Sequence, residues 1–361
     1  MKQGYLILET GEIFEGKLYG GKNGHIFGEV VFNTSMTGYQ EIVTDPSYAG
    51  QIIVFTYPLI GNYGVEENSG ESGGIHARAV IVKELFDDMF DTPTKSPFLN
   101  LLEKYDVPCL AKVDTRKLVT LIRDKGTVKG LISDHIMPFP SYEEESSLLN
   151  QVTTKKVAVY ENNGPHIVLL DFGYKKSILH YLLSENCKVT IVPYSYPIEK
   201  IKELKPDGVV ISNGPGDPRN AADQLEKIRE LTETYPTLGI CLGHQLIALA
   251  HGAKIGKLLF GHRGGNHPVK DLKTGKVYIT SQNHGYVVED LSVNENEFDV
   301  SFINVTDGTI EGLRHKRKPV ISVQFHPEGH PGPLDTVFIF KEFIHSLNYK
   351  GQQKISIPPL F

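Results

Sequence analysis

The sequence predicts an α/β protein in two parts: a C-terminal parallel-sheet domain preceded by a smaller, mostly β mixed domain. Three observations predict it. From His166 onward, apolar strand-like runs alternate with amphipathic helical runs. Before about Ser141, β-type segments broken by Gly, Pro and Asn dominate. The stretch between them, "SYEEESSLLNQVTTKKVAVYENNGP", is polar and rich in turn residues. The 361 residues are enough for two domains of ordinary size, roughly 100–200 residues each. The expected division is 1–140 for the first domain, 141–165 for a linker, 166–350 for the second domain and 351–361 for a C-terminal tail.

In the first domain "GYLILET", "GEVVFNTSM", "GQIIVFTYP" and "HARAVIVKEL" read as strands. One helix is expected at Asp114–Lys125. Asp114 can cap it, Leu118, Leu121 and Ile122 fall on one face, and Gly126 can end it. In the second domain "HIVLLDFG", "CKVTIVPY", "DGVVIS" and "TLGI" read as strands, with helices "KKSILHYLLSEN" and "AADQLEKIRELTETY" between them. Nearly continuous apolar strands separated by helices imply a parallel sheet covered on both faces. Ligands of such sheets bind beyond the carboxyl ends of the strands.

The formal net charge is −6, so no basic surplus argues for nucleic acid. No apolar run approaches the ~20 residues that cross a bilayer. The start "MKQGYLILETGEIFEG" reads as a strand rather than a signal peptide. The three cysteines, Cys109, Cys187 and Cys241, are sparse and unclustered, which fits a reducing, cytoplasmic setting without disulfides.

One cysteine stands out. In "TLGICLGHQLIALA" Cys241 lies between Gly239 and Gly243, on a strand-turn-helix pattern. Small flanking residues allow the sharp turn that exposes a nucleophile, and the positive end of the following helix favours a thiolate. The plain alternative is a buried core cysteine. A thiolate needs a base, and "VISVQFHPEGHPGP" offers His326 with Glu328 two positions on. On extended backbone that spacing puts both side chains on one side, so Glu328 can orient the imidazole. The alternative is a surface His and Glu after a strand. The loop "SNGPGDP" lacks the Gly-Lys-Ser/Thr of a phosphate loop. It is either a tight turn or a source of backbone N–H groups, from Gly214, that join Leu242 N–H in holding an acyl-transfer oxyanion. The fourteen histidines, including His262, His267, His284, His326 and His330, lack metal-ligand spacing, and no metal is expected.

Together "GICLGHQLIALA", "SNGPGDP" and "FHPE" resemble the class I glutamine amidotransferases. "GEVVFNTSMTGYQEIVTDPSYAGQI", "DTRKLVTLIRDKG", "FGHRGGNHPV" and "SQNHGY" extend the resemblance over almost the whole chain, to the small, glutamine-hydrolysing subunits of carbamoyl phosphate synthase. The chain departs from that family at "HPEGHPGP", where Ala is commoner than Gly at 329. The resemblance implies a nucleophile at Cys241, a base at His326 and its orienter at Glu328. It implies L-glutamine contacts from Ser47, Gly214, Gly216, Leu242, Gln245, Asn283, Gly285 and Tyr286. Ser47 rests on the resemblance alone, since "TDPSYAG" marks only a turn. Gln245, one helical turn beyond Cys241, can face the same pocket. The resemblance further implies a large synthetase subunit that binds ATP and Mg²⁺, with no cofactor in this chain itself, and leaves open a higher oligomer of heterodimers. Carbamoyl phosphate made this way serves arginine synthesis, pyrimidine synthesis or both. Two other readings are a stand-alone cysteine amide hydrolase and a catalytically inactive scaffold.

Overall fold

The computed structural model describes residues 2–21, 25–67, 69–86, 97–141 and 148–347. The expected tail, 351–361, lies outside them. In the first domain the strands are β1 (Lys2–Leu8), β2 (Ile13–Tyr19), β3 (Ile26–Asn33), β4 (Gln51–Phe55), β5 (Leu59–Ile60), β6 (Ala79–Ile81), β7 (Glu84–Leu85), β8 (Cys109–Ala111) and β9 (Val128–Ser133). Seven close into a barrel in the order β1-β2-β8-β6-β4-β3-β9, and β5 pairs with β7 in a separate ribbon. The expected helix forms at Thr115–Lys125 for the expected reasons. The Asp114 carboxylate accepts from Lys117 N–H, Leu118 and Ile122 are buried, and Gly126 follows at φ 97°.

The second domain holds β10 (Ala158–Tyr160), β11 (His166–Asp171), β12 (Lys188–Pro193), β13 (Gly208–Ile211), β14 (Thr237–Ile240), β15 (Ile255–Asp271), β16 (Val277–Val288), β17 (Phe298–Asn304), β18 (Ile310–His315) and β19 (Val320–Val323). They form one sheet in the order β10-β12-β11-β13-β14-β19-β18-β17-β15-β16. β12, β11, β13, β14 and β19 are parallel, as expected. Alternation explains why these strands are apolar throughout. On β11, Ile167 and Leu169 pack into one core while Val168 and Leu170 pack into the other, across the sheet. Each such fully buried aliphatic side chain contributes about 1.5–3 kcal/mol.

The sheet departs from expectation at its ends. Antiparallel β18, β17, β15 and β16 extend one side, and β10 adds an antiparallel edge on the other. β10 lies inside the stretch read as linker, so that stretch ends as part of the second sheet. The segment "SQNHGY" lies in the interior of β16.

The domains meet through backbone as well as side chains. Thr34 N–H donates to Arg263 O, Thr127 N–H to Leu259 O and Lys176 N–H to Glu71 O. The Ser177 hydroxyl donates to the Glu71 carboxylate at 2.7 Å. These contacts bring the Asp45–Tyr48 turn of the barrel domain over the carboxyl end of the parallel strands.

Candidate active site

Cys241 follows β14 and caps the helix Leu242–Ala250 at φ 53° and ψ −102°, a conformation that ordinary side chains rarely adopt. The flanking glycines make it reachable. A Cβ on Gly243 would stand 2.1 Å from Ile211 O, and one on Gly239 would stand 2.6 Å from Ile247 Cδ1 and 2.8 Å from Gly243 O. Gly243 is pressed against β13 and Gly239 against the helix Leu242–Ala250, so neither position has space for a side chain. Cys241 N–H donates to Val323 O of β19 at 2.8 Å, which anchors the turn from the other flank. The helix leaves its first N–H groups without intrahelical acceptors, Leu242 among them.

His326 and Glu328 lie beside Cys241, both 2% exposed, so the surface reading of this pair does not hold. The route to this pairing differs from the extended backbone expected. β19 ends at Val323. His326 then bridges to Ser281, donating its N–H to Ser281 O at 2.9 Å, and Gly329 N–H closes a turn onto His326 O at 3.1 Å. This turn brings His326 Nδ1 to 2.6 Å from Glu328 Oε1. Burial opposes a charge on the ring, yet the Glu328 carboxylate and the Cys241 sulfur outweigh it and raise the imidazole to about 10. Its outer nitrogen, Nε2, has no hydrogen-bond partner among the described residues. The surroundings therefore favour a proton on His326, the direction in which a thiol proton must move.

Sequence reading missed Lys175. Its ammonium is buried, 3.1 Å from Glu328 Oε1, and donates to Gly329 O at 2.5 Å. Burial would raise the Glu328 carboxyl, but the Lys175 charge and then His326 hold it down at about 2. One signal was available, a lysine just past the carboxyl end of β11, the sheet edge where ligands bind. Gly329, at φ 68°, explains why glycine suits that position here.

The remaining residues singled out from the sequence converge. Ser47, Gly214, Gly216, Cys241, Leu242, Gln245, Asn283, Gly285 and Tyr286 all line one cleft of about 330 Å³ between the domains. Gly214 packs so closely that a Cβ would stand 2.3 Å from Phe172 O, and Gly216 has φ 86°. Gln245 Nε2 donates to Tyr286 O at 2.8 Å and to Gln324 Oε1 at 3.0 Å. Gln324 Nε2 reaches the Cys241 sulfur at 3.6 Å, and the Cys241 thiol faces Asn283 O at 3.6 Å. Asn213 Nδ2 donates to Ser47 Oγ at 2.9 Å, joining the barrel domain to the loop that carries Gly214. Asp45 of the same barrel turn accepts from Asn283 Nδ2 at 3.0 Å.

Of the histidines weighed as ligands, His262 and His284 cluster with Glu311, with ligand atoms within 4.8 Å of one another. His262 Nε2 is 2.8 Å from Asp307, and His284 is bonded through both ring nitrogens, to Tyr286 O and Gln282 Oε1. Burial opposes a charge on His262, but Asp307 and Glu311 raise it to about 9. His262 thus stands as a cation between the two carboxylates Asp307 and Glu311.

Two family models match the chain: "Carbamoyl-phosphate synthase small chain, CPSase domain" over residues 6–132 and "Glutamine amidotransferase class-I" over residues 168–346. The chain is 49% identical over 355 residues to the carbamoyl phosphate synthase arginine-specific small chain of Halalkalibacterium halodurans, covering 97% of this chain and 98% of that one. It is 50% identical over 348 residues to the protein of the same name from Geobacillus stearothermophilus, covering 96% and 98%. It is 47% identical over 343 residues to the carbamoyl phosphate synthase small chain of Caldanaerobacter subterraneus, covering 95% and 96%. The cysteine elbow, the buried His-Glu pair and near full-length similarity agree, and the chain belongs to the carbamoyl phosphate synthase small-chain family, the glutamine-hydrolysing amidotransferase subunits of that enzyme.

Proposed function

We propose that this chain hydrolyses L-glutamine through a thioester on Cys241 and delivers the ammonia to a large synthetase subunit. The observation that carries the reading is the placement of Cys241 on the floor of the interdomain cleft, with the buried His326–Glu328 pair beside it. The Cys241 thiol proton passes to His326, and the sulfur attacks the side-chain carbonyl carbon of glutamine. The tetrahedral oxyanion takes hydrogen bonds from the N–H groups of Leu242 and Gly214. Collapse breaks the C–N bond as His326 returns its proton to the leaving nitrogen, giving ammonia and the thioester. Water then adds with His326 as base, and the carbon–sulfur bond breaks to release glutamate and restore the thiol. Glu328 orients the imidazole and balances its charge throughout.

This chain carries no cofactor in the proposal. ATP and Mg²⁺ belong to the large subunit, which joins bicarbonate and ammonia in the cytoplasm. Ammonia passed internally keeps the lone pair that protonation would remove. The arginine-specific names of the Halalkalibacterium and Geobacillus relatives support a role in arginine synthesis. The test is to mix the purified chain with the cognate large subunit. Glutamine should then support ATP-dependent carbamoyl phosphate formation, and Cys241→Ser should leave only ammonia-dependent synthesis. No association and no coupled synthesis would refute the proposal.

A further inference from the structure

We infer that Asp45 is a positioning residue for glutamine hydrolysis: one buried carboxylate of the barrel domain fixes both walls of the glutamine cleft. The inference rests on the function proposed above and assigns a part to a residue outside the set of glutamine contacts.

The geometry is a fork. Asp45 Oδ1 accepts from Ser47 N–H at 2.9 Å, and Asp45 Oδ2 accepts from Asn283 Nδ2 at 3.0 Å. The first bond caps the short turn Pro46–Tyr48 and sets the position of Ser47 on one wall. The second reaches 238 positions along the chain to β16 on the facing wall. Asn283 in turn offers its main-chain oxygen to the Cys241 thiol at 3.6 Å. Asp45, Ser47, Asn283 and Cys241 are all less than a tenth exposed, so a lost bond among them is costly. Docking of the barrel domain and the shape of the cleft beside the nucleophile are thus joined through one side chain.

Only a carboxylate serves both arms. An amide at position 45 has one acceptor oxygen, so its NH₂ must face either Ser47 N–H or the Asn283 NH₂, donor against donor. Asp45→Asn therefore breaks one arm with almost no change in volume. Loss of a buried hydrogen bond to a charged group implies a rise in KM for glutamine of roughly 10- to 100-fold. The turnover number should change less, since Cys241, His326 and Glu328 keep their contacts.

The experiment measures glutamine-dependent and ammonia-dependent synthesis by the complex with the large subunit, for the unsubstituted chain and for Asp45→Asn. The expected result is a raised KM for glutamine with ammonia-dependent synthesis unchanged. At saturating glutamine the turnover number of Asp45→Asn should stay within a few-fold of the parent, a KM-against-kcat split that a merely structural role for position 45 would not produce. Should Asp45→Asn not fold, Asp45→Ser keeps the turn cap and loses the reach to Asn283, and it should show the same rise in KM. A parental KM in Asp45→Asn, a fall in turnover as large as the rise in KM, or failure of both Asp45→Asn and Asp45→Ser to fold overturns the inference. If the unsubstituted chain releases no glutamate from glutamine, it is the functional reading that falls. If it does and Asp45→Asn matches it, only the role of Asp45 falls.

Discussion

The ammonium of Lys175 lies 3.1 Å from the carboxylate of Glu328, and both side chains are at most 3% exposed. The same oxygen, Oε1, also meets His326 Nδ1. One carboxylate thus stands between two buried cations, and the orientation of the imidazole depends on a residue that does not touch the sulfur. Removing Lys175 leaves His326 as the one counter-charge of Glu328 and takes the donor from Gly329 O. Lys175→Met should therefore destabilise the fold by about 1.5–3 kcal/mol, the scale of a buried hydrogen bond to a charged group. The double variant Lys175→Met, Glu328→Gln should lose more, because the carboxylate that pairs with His326 is then gone. Chemical unfolding of the three proteins checks this, and a single variant as stable as the parent would refute it.

His326 and Glu328 give a pH dependence with two signs. His326 is raised from 6.5 to about 10, so its contribution to stability is complete below pH 6.5 and lost as pH rises toward 10. Glu328 is lowered from 4.5 to about 2, so its contribution is complete above pH 4.5 and lost as pH falls toward 2. Compared with the double variant His326→Asn, Glu328→Gln, the parent should gain most between pH 4.5 and 6.5. The gap should narrow on both sides of that window. Unfolding midpoints measured across pH decide it, and a gap that kept widening above pH 7 would contradict the assigned protonation.

Ser47 holds its hydroxyl 2.9 Å from Asn213 Nδ2 at the cleft wall, and Asn213 Nδ2 also donates to Gly173 O at 3.0 Å. Ser47→Ala leaves that second bond intact, so the fold should lose no more than about 1 kcal/mol. If the hydroxyl also binds glutamine, the substitution removes ground-state binding. KM should rise roughly 2- to 10-fold with kcat nearly unchanged. Steady-state glutaminase assays test this, and a fall in kcat at constant KM would point to a different role.

What the sequence made legible was local. Cys241 could be read because Gly239 and Gly243 sit two positions either side of it, and the helix Thr115–Lys125 because cap, periodicity and stop all lie within a dozen residues. The nearness of His326 and Glu328 could be read as well, although a turn rather than a strand produces it. What stayed hidden depends on distant parts of the chain. Lys175 meets Gly329 across 154 positions, and Asp45 meets Asn283 across 238. No periodicity or spacing encodes such meetings. The antiparallel half of the second sheet was missed for a related reason. β15 carries Gly256, Gly261, Gly264 and Gly265 and shifts register twice against β16, so no clean alternation marks it as a strand.

The glycine frame of Cys241 is open to a direct structural test. Gly243 faces Ile211 O so closely that an added Cβ would lie at 2.1 Å, and that atom is backbone of a central strand that cannot swing aside. Gly243→Ala must either push the helix Leu242–Ala250 off β13 or unwind its first turn. Each moves Leu242 N–H away from where an oxyanion would form and disturbs the strained backbone at Cys241. The expected outcome is a loss of glutaminase of at least 10²-fold, the scale of removing one oxyanion donor, together with destabilisation of more than about 2 kcal/mol. Gly73→Ala serves as the comparison, since an added Cβ there meets nothing within 4 Å. It should keep activity and stay within about 0.5 kcal/mol of the parent. Labelling with a glutamine-directed affinity reagent separates the two effects of Gly243→Ala. Protein that remains folded yet no longer labels at Cys241 would show that the turn itself sets the nucleophile, whereas normal labelling at normal rates would mean that the elbow does not govern the sulfur.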